Sequence, residues 1–512
     1  MPKVGISRLG VSLNAILPAT QFMGSDDLFV TSCCGKADEC RPGDLFVALI
    51  DAEHDGHVQV DQAVAAGATM LLVERLVATD VPQCIVPDTR KAYAMVCQAL
   101  AGGPCDYLTT IGITGSHGKT SIATLLESIL AASGKRVGAI QSLGASVAGR
   151  SMTREPLVWT APQLSFLLAR QVLEECSHAI IEMPSQCLAS HQAVGLQLNV
   201  AILSNIRRQH LDLHGNVANY RHVKTRIFQL LKNGGVAVVN ADDPVCHHLL
   251  PELKVPCLTY GIRQTANVQG RVLEQAWGEQ VIMISAGDDS IVVRTAQTGQ
   301  QFLEHCLAAA TAAMALGLTL PEIGRGLEQC HVISGRMQTV QCGQPFGVMV
   351  DAADQADPLA VLFKTARYSE NGRTICVCTH HPDQTRDQRF HLGRIAERSK
   401  GLVVLTGRHT SLGEVDYEPI HQIMDGMKHP GRVQVIPDRI RAIEWALAQA
   451  RPGDTVLVTG AGHLPVATVG EDRWEVTDVD VCQAWLYEQA KDTPADDDDD
   501  WSDSIYSIED YR

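Results

Sequence analysis

The chain has 512 residues, of which 45% are hydrophobic, 20% charged and 5% aromatic, and it carries a formal net charge of −16. That length holds about three ordinary domains, each with its own core, and the balance of residue types excludes fibrous and wholly disordered classes. The acidic charge excludes non-specific binding to nucleic acid, which requires a concentrated Lys/Arg surface.

The first residues, Met1 to Arg8, lack the apolar stretch of a secretory signal, and no apolar run approaches the roughly 20 residues of a membrane span. Sixteen scattered cysteines without a CxxC pair fit a reduced compartment. A cytoplasmic protein without membrane spans is therefore expected. Residues 1–108 read as a small α/β unit. Arg41-Pro42-Gly43-Asp44 turns into a strand over Leu45 to Leu49, a helical stretch follows around Gln62 to Ala68, and Met70 to Val73 forms another strand.

From about residue 109 short β-branched runs alternate with helical periodicity, the pattern of buried parallel strands. The runs that matter most are Thr110 to Thr114, Ala179 to Glu182, Val200 to Asn205 and Val236 to Asn240. Ligands gather at the carboxyl ends of such strands, so Glu182, Asn205 and Asn240 are expected around one crevice. The first run leads into Gly115-Ser116-His117-Gly118-Lys119-Thr120-Ser121 and then a helix with an apolar face of Ile122, Leu125, Leu126, Ile129 and Leu130. Gly115 and Gly118 allow a tight turn that points several N–H groups at one anion, at the positive end of a helix. Lys119 is placed to meet the β- and γ-phosphates of ATP, and Thr120 to offer its hydroxyl to Mg2+. The loop is the short G-x-x-G-K-T form, because Ile113 stands where the longer pattern has its first glycine.

A third set of strands follows Gly335-Arg336-Met337: Val348 to Asp351, Ile375 to Cys378, Leu402 to Leu405, Val433 to Ile436 and Val456 to Thr459. It reads as a second doubly wound sheet. From Lys491 to Arg512 nine acids stand against two bases, the mark of a solvated, disordered tail. The pairs His247-His248 and His380-His381, placed on strands or loops, and the pair Cys33-Cys34 are assigned to surface or packing roles.

These motifs, in this order, resemble the Mur ligases, and among them the MurE type, from about Arg41 to His463. PGDLFVAL with Asp55-Gly56-His57 is similar to that family's N-terminal segment. Ser204-Asn205-Ile206-Arg207-Arg208-Gln209-His210-Leu211-Asp212-Leu213-His214-Gly215 resembles TNLxxDHLDxHG, and Tyr220 to Phe228 resembles Y-x-x-x-K-x-x-[LI]-F. Asn240-Ala241-Asp242-Asp243 is similar to the N-A-D-D segment near adenine, Arg336 to the ATP-contacting arginine, and Asp351 to the acid opening DYAH.

The resemblance implies an α/β fold of three domains. An N-terminal UDP-binding type substrate domain (1–108) is followed by a P-loop ATPase domain with a parallel sheet (109–335), a Rossmann-like domain (336–490) and the tail (491–512). It implies Mg2+ held by Thr120, Glu182, His210 and a carbamylated Lys224, with Lys119, Lys224, His210 and Glu182 serving catalysis. ATP is assigned to Gly115 through Ser121 with Asn240, Asp242, Arg336 and Asp351, and substrate to Thr160, Ser185 and Asn205. The implied activity joins an amino acid to a UDP-N-acetylmuramoyl-peptide or related carboxylate through an acyl phosphate, by a monomer acting on small molecules.

The departures lie on the substrate side. Pro184, Ser190 and Gln192 replace a serine, a glutamine and an arginine of EVSSHxLxQxR, the DNPR motif is absent around Thr406 to Thr410, and Gly460 to Leu464 lacks the lysine and glutamate of GKGHE. Gln209 replaces an aspartate beside His210, and Asp354 the histidine of DYAH. A second reading is therefore a nucleotide-binding paralogue without turnover, in a regulatory or scaffolding role. A third, folylpolyglutamate synthase-like activity, shares the loop but not the N-terminal segment.

Overall fold

The computed structural model describes residues 10–17, 20–51, 54–152, 159–207, 214–366, 372–399, 401–408, 416–469 and 474–491. Gln209, His210 and the acidic tail beyond residue 491 lie outside them. The chain forms two compact units, one from Met1–Arg271, Ile284–Ile291 and Glu304–Gln329, the other from Val272–Met283, Val292–Leu303 and Cys330–Arg512. Among the described residues no helix is long and apolar enough to cross a membrane.

The first unit opens with a five-stranded sheet of β1 (Gln21–Met23), β2 (Cys33–Cys34), β3 (Leu45–Val47), β4 (Met70–Val73) and β5 (Gln83–Ile85). Its spatial order is β1-β5-β4-β3-β2, with β1 antiparallel to β5 and the others parallel. The helix expected over 62–68 sits slightly earlier, as α1 (Val60–Ala65), and α2 (Thr89–Leu100) follows.

The larger sheet of this unit contains β6 (Thr109–Thr114), β7 (Val137–Gln141), β8 (Gly144–Val147), β9 (Arg150–Ser151), β10 (His178–Glu182), β11 (Leu198–Leu203), β12 (Leu231–Asn240) and β13 (Cys257–Gly261), in the order β9-β8-β7-β10-β6-β11-β12-β13. From β7 to β13 all pairs are parallel. Because helices cover both faces, β6, β10 and β11 are almost wholly buried and read as continuous apolar runs, not as alternating ones. The helices are α3 (Lys119–Ala132), α4 (Ala161–Leu173), α5 (Val217–Thr225), α6 (Gln300–Ala315) and α7 (Leu320–Gln329).

The apolar face of α3 is fully buried at Ile122, Leu125, Leu126, Ile129 and Leu130. Each such side chain contributes about 1.5–3 kcal/mol on leaving water, so the helix is anchored along its length. It stops at Gly134, where φ is +78°. Register then sets the site: Glu182 lies opposite Ile113, and Leu203 opposite both Thr114 and Val239. The carboxyl ends of β10, β6, β11 and β12 thus share one edge.

The second unit carries a sheet of β14 (Gln338–Val340), β15 (Gly347–Asp351), β16 (Thr374–Cys378), β17 (Leu402–Leu405), β18 (Gln434–Val435) and β19 (Thr455–Thr459). Their order is β14-β15-β19-β16-β17-β18, parallel except for β14. The strand expected over 433–436 is cut to two residues, since Pro430–Arg432 before it is a helical turn and Pro437 stands just beyond it. Against the sheet pack α8 (Arg439–Ala448) and α9 (Asp478–Lys491). Arg439 and Asp478 are both fully buried and joined by two hydrogen bonds, from Nε at 2.8 Å and from Nη2 at 2.7 Å.

Candidate functional site

The strand β6 ends at Thr114, and the chain turns through Gly115 and Gly118 into α3. Gly118 has φ +83°, a conformation that L side chains rarely adopt, and a Cβ there would run into the imidazole of His305 on α6. A Cβ on Gly115 would collide with the Ser204 hydroxyl. Both positions therefore demand glycine. No side chain caps α3, so its first turn keeps the positive end that suits an anion. Thr120 and Ser121 are buried in that turn.

The loop is tied to the end of β11. Ser116 N–H donates to the Asn205 carbonyl at 3.0 Å, and His117 N–H donates to Asn205 Oδ1 at 3.0 Å. In return Asn205 Nδ2 and Ser204 Oγ donate to the His117 carbonyl at 3.1 and 3.0 Å. Ser116 Oγ lies 3.0 Å from the Tyr220 hydroxyl of α5 and accepts from Arg207 N–H at 2.8 Å. Asn205, expected to face substrate, spends both ends of its amide on the loop backbone. Replacing it with alanine removes two of these bonds; the His117 carbonyl keeps the Ser204 hydroxyl, but the His117 N–H loses the Asn205 oxygen, a cost of about 1–3 kcal/mol. In steady-state kinetics with ATP varied, Asn205→Ala is expected to lower kcat/KM for ATP about tenfold or more; an unchanged value would show that the loop holds its shape without this brace.

Two amines converge on the loop. Lys119 Nζ donates to the carbonyls of Gly115 at 3.1 Å and Ser116 at 3.4 Å. Lys224 Nζ, from α5, donates to the same Gly115 carbonyl at 2.8 Å and to Thr114 Oγ1 at 3.1 Å. Lys224 is 1% exposed and lies 5.4 Å from the centre of the Tyr220 ring. Burial, and then the charge of Lys119, hold its ammonium well below the usual lysine range. Burial and the same lysine bring His117 down to about 3, so its ring is neutral at ordinary pH.

Glu182, at the end of β10, is fully buried. Its Oε2 accepts from Ser142 Oγ at 2.7 Å, while Oε1 has no hydrogen-bond partner among the described residues. A buried carboxylate oxygen left open in this way is suited to a hard cation, which takes oxygen ligands. Thr120, Glu182 and Lys224 are thus brought to one sheet edge. His210, the remaining expected metal ligand, lies outside the described residues.

Other expected residues take varied places. Asn240 Oδ1 accepts from Asp242 N–H at 2.9 Å, and the Asp242 carboxylate collects the N–H groups of Ile262, Arg263 and Gln264, so both shape the turn after β12. Thr160 precedes α4, whose first N–H, from Ala161, is capped by Gln192 at 2.7 Å. Gln192, standing where the related pattern has an arginine, is thus committed to the fold. Ser185 is buried in the short helix Ser185–Ala189. His247 and His248, expected on a strand or loop, lie on the helix Pro244–Leu249. Arg336 and Asp351 belong to the second unit. There Asp351 accepts from Met337 N–H at 2.7 Å and Ala353 N–H at 2.8 Å, with its acidity weakened by burial against the opposing pull of Arg336. The sequence reading missed Ser204, Tyr220 and His305 as parts of the loop's surroundings. Ser204 and Tyr220 stood inside quoted motifs, whereas nothing local marked His305.

Comparison with known proteins bears on the same segments. The model of the Mur ligase middle domain matches residues 113–313, and that of the Mur ligase glutamate ligase domain matches 335–462. A UDP-N-acetylmuramoyl-L-alanyl-D-glutamate–2,6-diaminopimelate ligase of Geobacillus thermodenitrificans is 31% identical over 463 residues, covering 88% of this chain and 93% of the relative. A UDP-N-acetylmuramyl-tripeptide synthetase of Roseiflexus is 32% identical over 448 residues, covering 82% and 87%. Among solved structures, a UDP-N-acetylmuramoyl-L-alanyl-D-glutamate–2,6-diaminopimelate ligase superposes with a TM-score of 0.68 at 24% identity over 94% of this chain and 99% of that one. A MurF ligase of Thermotoga maritima in complex with ADP gives 0.62 at 18% identity, over 90% and 98%. At these identities the structures speak for the fold.

Proposed function

The chain belongs to the Mur ligase family, and from that premise we propose that it joins an amino acid to the carboxyl group of a UDP-N-acetylmuramoyl-peptide in peptidoglycan synthesis. It is an ATP-dependent, amide-bond-forming ligase with the three-part α/β architecture of that family. The alternative of a paralogue without turnover draws no support from the relatives named above, which bear ligase and synthetase names.

The observation that carries the reading is the meeting of Lys119 and Lys224 on the Gly115 carbonyl, at the strand edge that also holds Glu182 with one open oxygen. Lys119 and the first turn of α3 bind the phosphates and neutralise charge on the transferring phosphoryl group as the substrate carboxylate attacks phosphorus and ADP leaves. The incoming amine then forms the C–N bond and expels phosphate from the acyl phosphate. A magnesium ion, when bound, supplies further neutralisation of phosphate charge, and Thr120, Glu182 and Lys224 in its carbamate form are the described residues that would hold it.

Lys224 suits that modification. Its amine is buried and flanked by the Lys119 cation, which favours the neutral form, the nucleophile toward carbon dioxide. An N–C bond forms and a proton departs. The carbamate keeps one N–H for the Gly115 carbonyl and gains oxygens that a hard cation prefers. For the UDP portion of the substrate we assign the cavity of about 500 Å³ lined by Gly35, Lys36, Asp38, Leu49, His54 and Gln62 in the N-terminal sheet region.

Phosphate release from ATP with magnesium tests the reading. Release is expected only when a UDP-muramoyl dipeptide and an amino acid are both present, and Lys224→Ala is expected to lower it by about a hundredfold or more, as for loss of one preorganised charge-stabilising group. Labelled bicarbonate should give a carbamate signal that Lys224→Ala lacks. Release independent of the muramoyl substrate, or unchanged in Lys224→Ala, would overturn it.

A further inference from the structure

Cys34, Cys40 and Asp44 stand close together although no recognisable ligand spacing joins them in sequence. Cys34 ends β2, Cys40 follows the single helical turn Ala37–Glu39, and Asp44 closes the Arg41-Pro42-Gly43 turn that leads into β3. Their two sulfur atoms and a carboxylate oxygen all lie within 4.8 Å of one another. Cys34 and Asp44 are buried, and Cys40 is half-buried, open to solvent on one side.

The carboxylate is the telling member. Asp44 accepts from the Ser32 hydroxyl and, at 2.8 Å, from Arg41 N–H. Both donors are neutral, and no ion pair to Asp44 is found among the described residues. A buried anion without a cationic partner is costly unless a cation joins it. Two thiols and a carboxylate are the donor types of a tetrahedral zinc site, with sulfur at about 2.3 Å and oxygen at about 2.0–2.2 Å from the metal. A metal so placed draws the protons from both thiols.

We infer that Cys34, Cys40 and Asp44 form a binding site for a thiophilic divalent cation of the zinc type, with water from the open side of Cys40 as fourth ligand. The segment 35–38 between the two cysteines lines the cavity described above, so the ion would clasp both ends of that loop. The inference stands on the three side chains alone and does not depend on which substrate the cavity accepts.

Cobalt(II) serves as the probe, added to reduced, chelator-stripped, full-length protein. Wild type is expected to bind one equivalent with a thiolate-to-cobalt charge-transfer band in the near ultraviolet. Cys40→Ser, at a half-exposed position that tolerates a hydroxyl, is expected to lose the band and at least tenfold in affinity while keeping its far-ultraviolet circular dichroism. Cys34→Ser should behave likewise, and Cys257→Ser, a half-buried thiol elsewhere, should match wild type. Absence of a thiolate band in wild type overturns the inference. So does a band that persists in Cys40→Ser, which would place the metal on another pair, such as Cys33 and Cys97, whose sulfurs are 3.9 Å apart.

Discussion

Lys119→Ala is expected to lower kcat/KM by about a thousandfold, the upper range for removing one preorganised group that stabilises transition-state charge. Three observations set the size. His117 is kept neutral by its surroundings, and Lys224 is held toward its neutral form. On the proposed function Lys119, whose amine rests on the Gly115 and Ser116 carbonyls, is the cation that the loop itself would offer to the phosphates. Its removal also acts on Lys224. The Lys119 charge is one of the two causes that lower the Lys224 ammonium, so without it that amine holds its proton more strongly and takes up carbon dioxide less readily. Initial rates of phosphate release, with both ligation substrates saturating and ATP varied, give the value. A fall of less than tenfold would remove Lys119 from the chemistry.

The largest expected loss of stability is at Arg439. Substitution by alanine leaves the Asp478 carboxylate fully buried without its partner, and breaking such a pair costs about 3–5 kcal/mol. The damage extends beyond the pair, because Arg439 Nη2 also donates to the Thr459 carbonyl at 3.0 Å, joining α8, α9 and the end of β19. For a domain of this size each kcal/mol shifts Tm by roughly 2–4 °C, so the second unit of Arg439→Ala should melt about 10 °C earlier in calorimetry. The double variant Arg439→Met with Asp478→Leu, which removes both charges, should recover most of that loss. If the single variant melts with wild type, the pair contributes nothing net.

Much of this was legible in the sequence, for identifiable reasons. Strands buried on both faces must be continuously apolar, so β6, β10, β11, β15, β16 and β19 were found within a residue or two of their ends. The turn into α3 was legible because glycine, lysine and the three-to-four spacing of Ile122, Leu125, Leu126, Ile129 and Leu130 each leave a local mark. What stayed hidden depends on partners distant along the chain. The amide of Asn205 binds the backbone of a residue 88 positions away, and no spacing rule announces that. His305 reaches Gly118 from a helix with no motif of its own. Cys34, Cys40 and Asp44 were passed over because the adjacent pair Cys33-Cys34 suggests packing, and only the turn at Arg41 to Gly43 folds the other two back onto it. Glu182 was legible as the end of a buried strand, whereas its proposed metal role and Lys224 came from the family resemblance; the open Glu182 oxygen and the buried Lys224 amine are compatible with those proposals.

The ties between β11 and the loop over Gly115 to Gly118 have a consequence for how nucleotide arrives. With its Ser116 and His117 amides already bonded to Asn205, the loop takes its shape when the domain folds, not when ligand enters, so little chain entropy remains to be lost on binding. Backbone amides at Ser116 and His117 should therefore exchange with deuterium almost as slowly in the ligand-free protein as with ADP present, and association should proceed in a single kinetic phase.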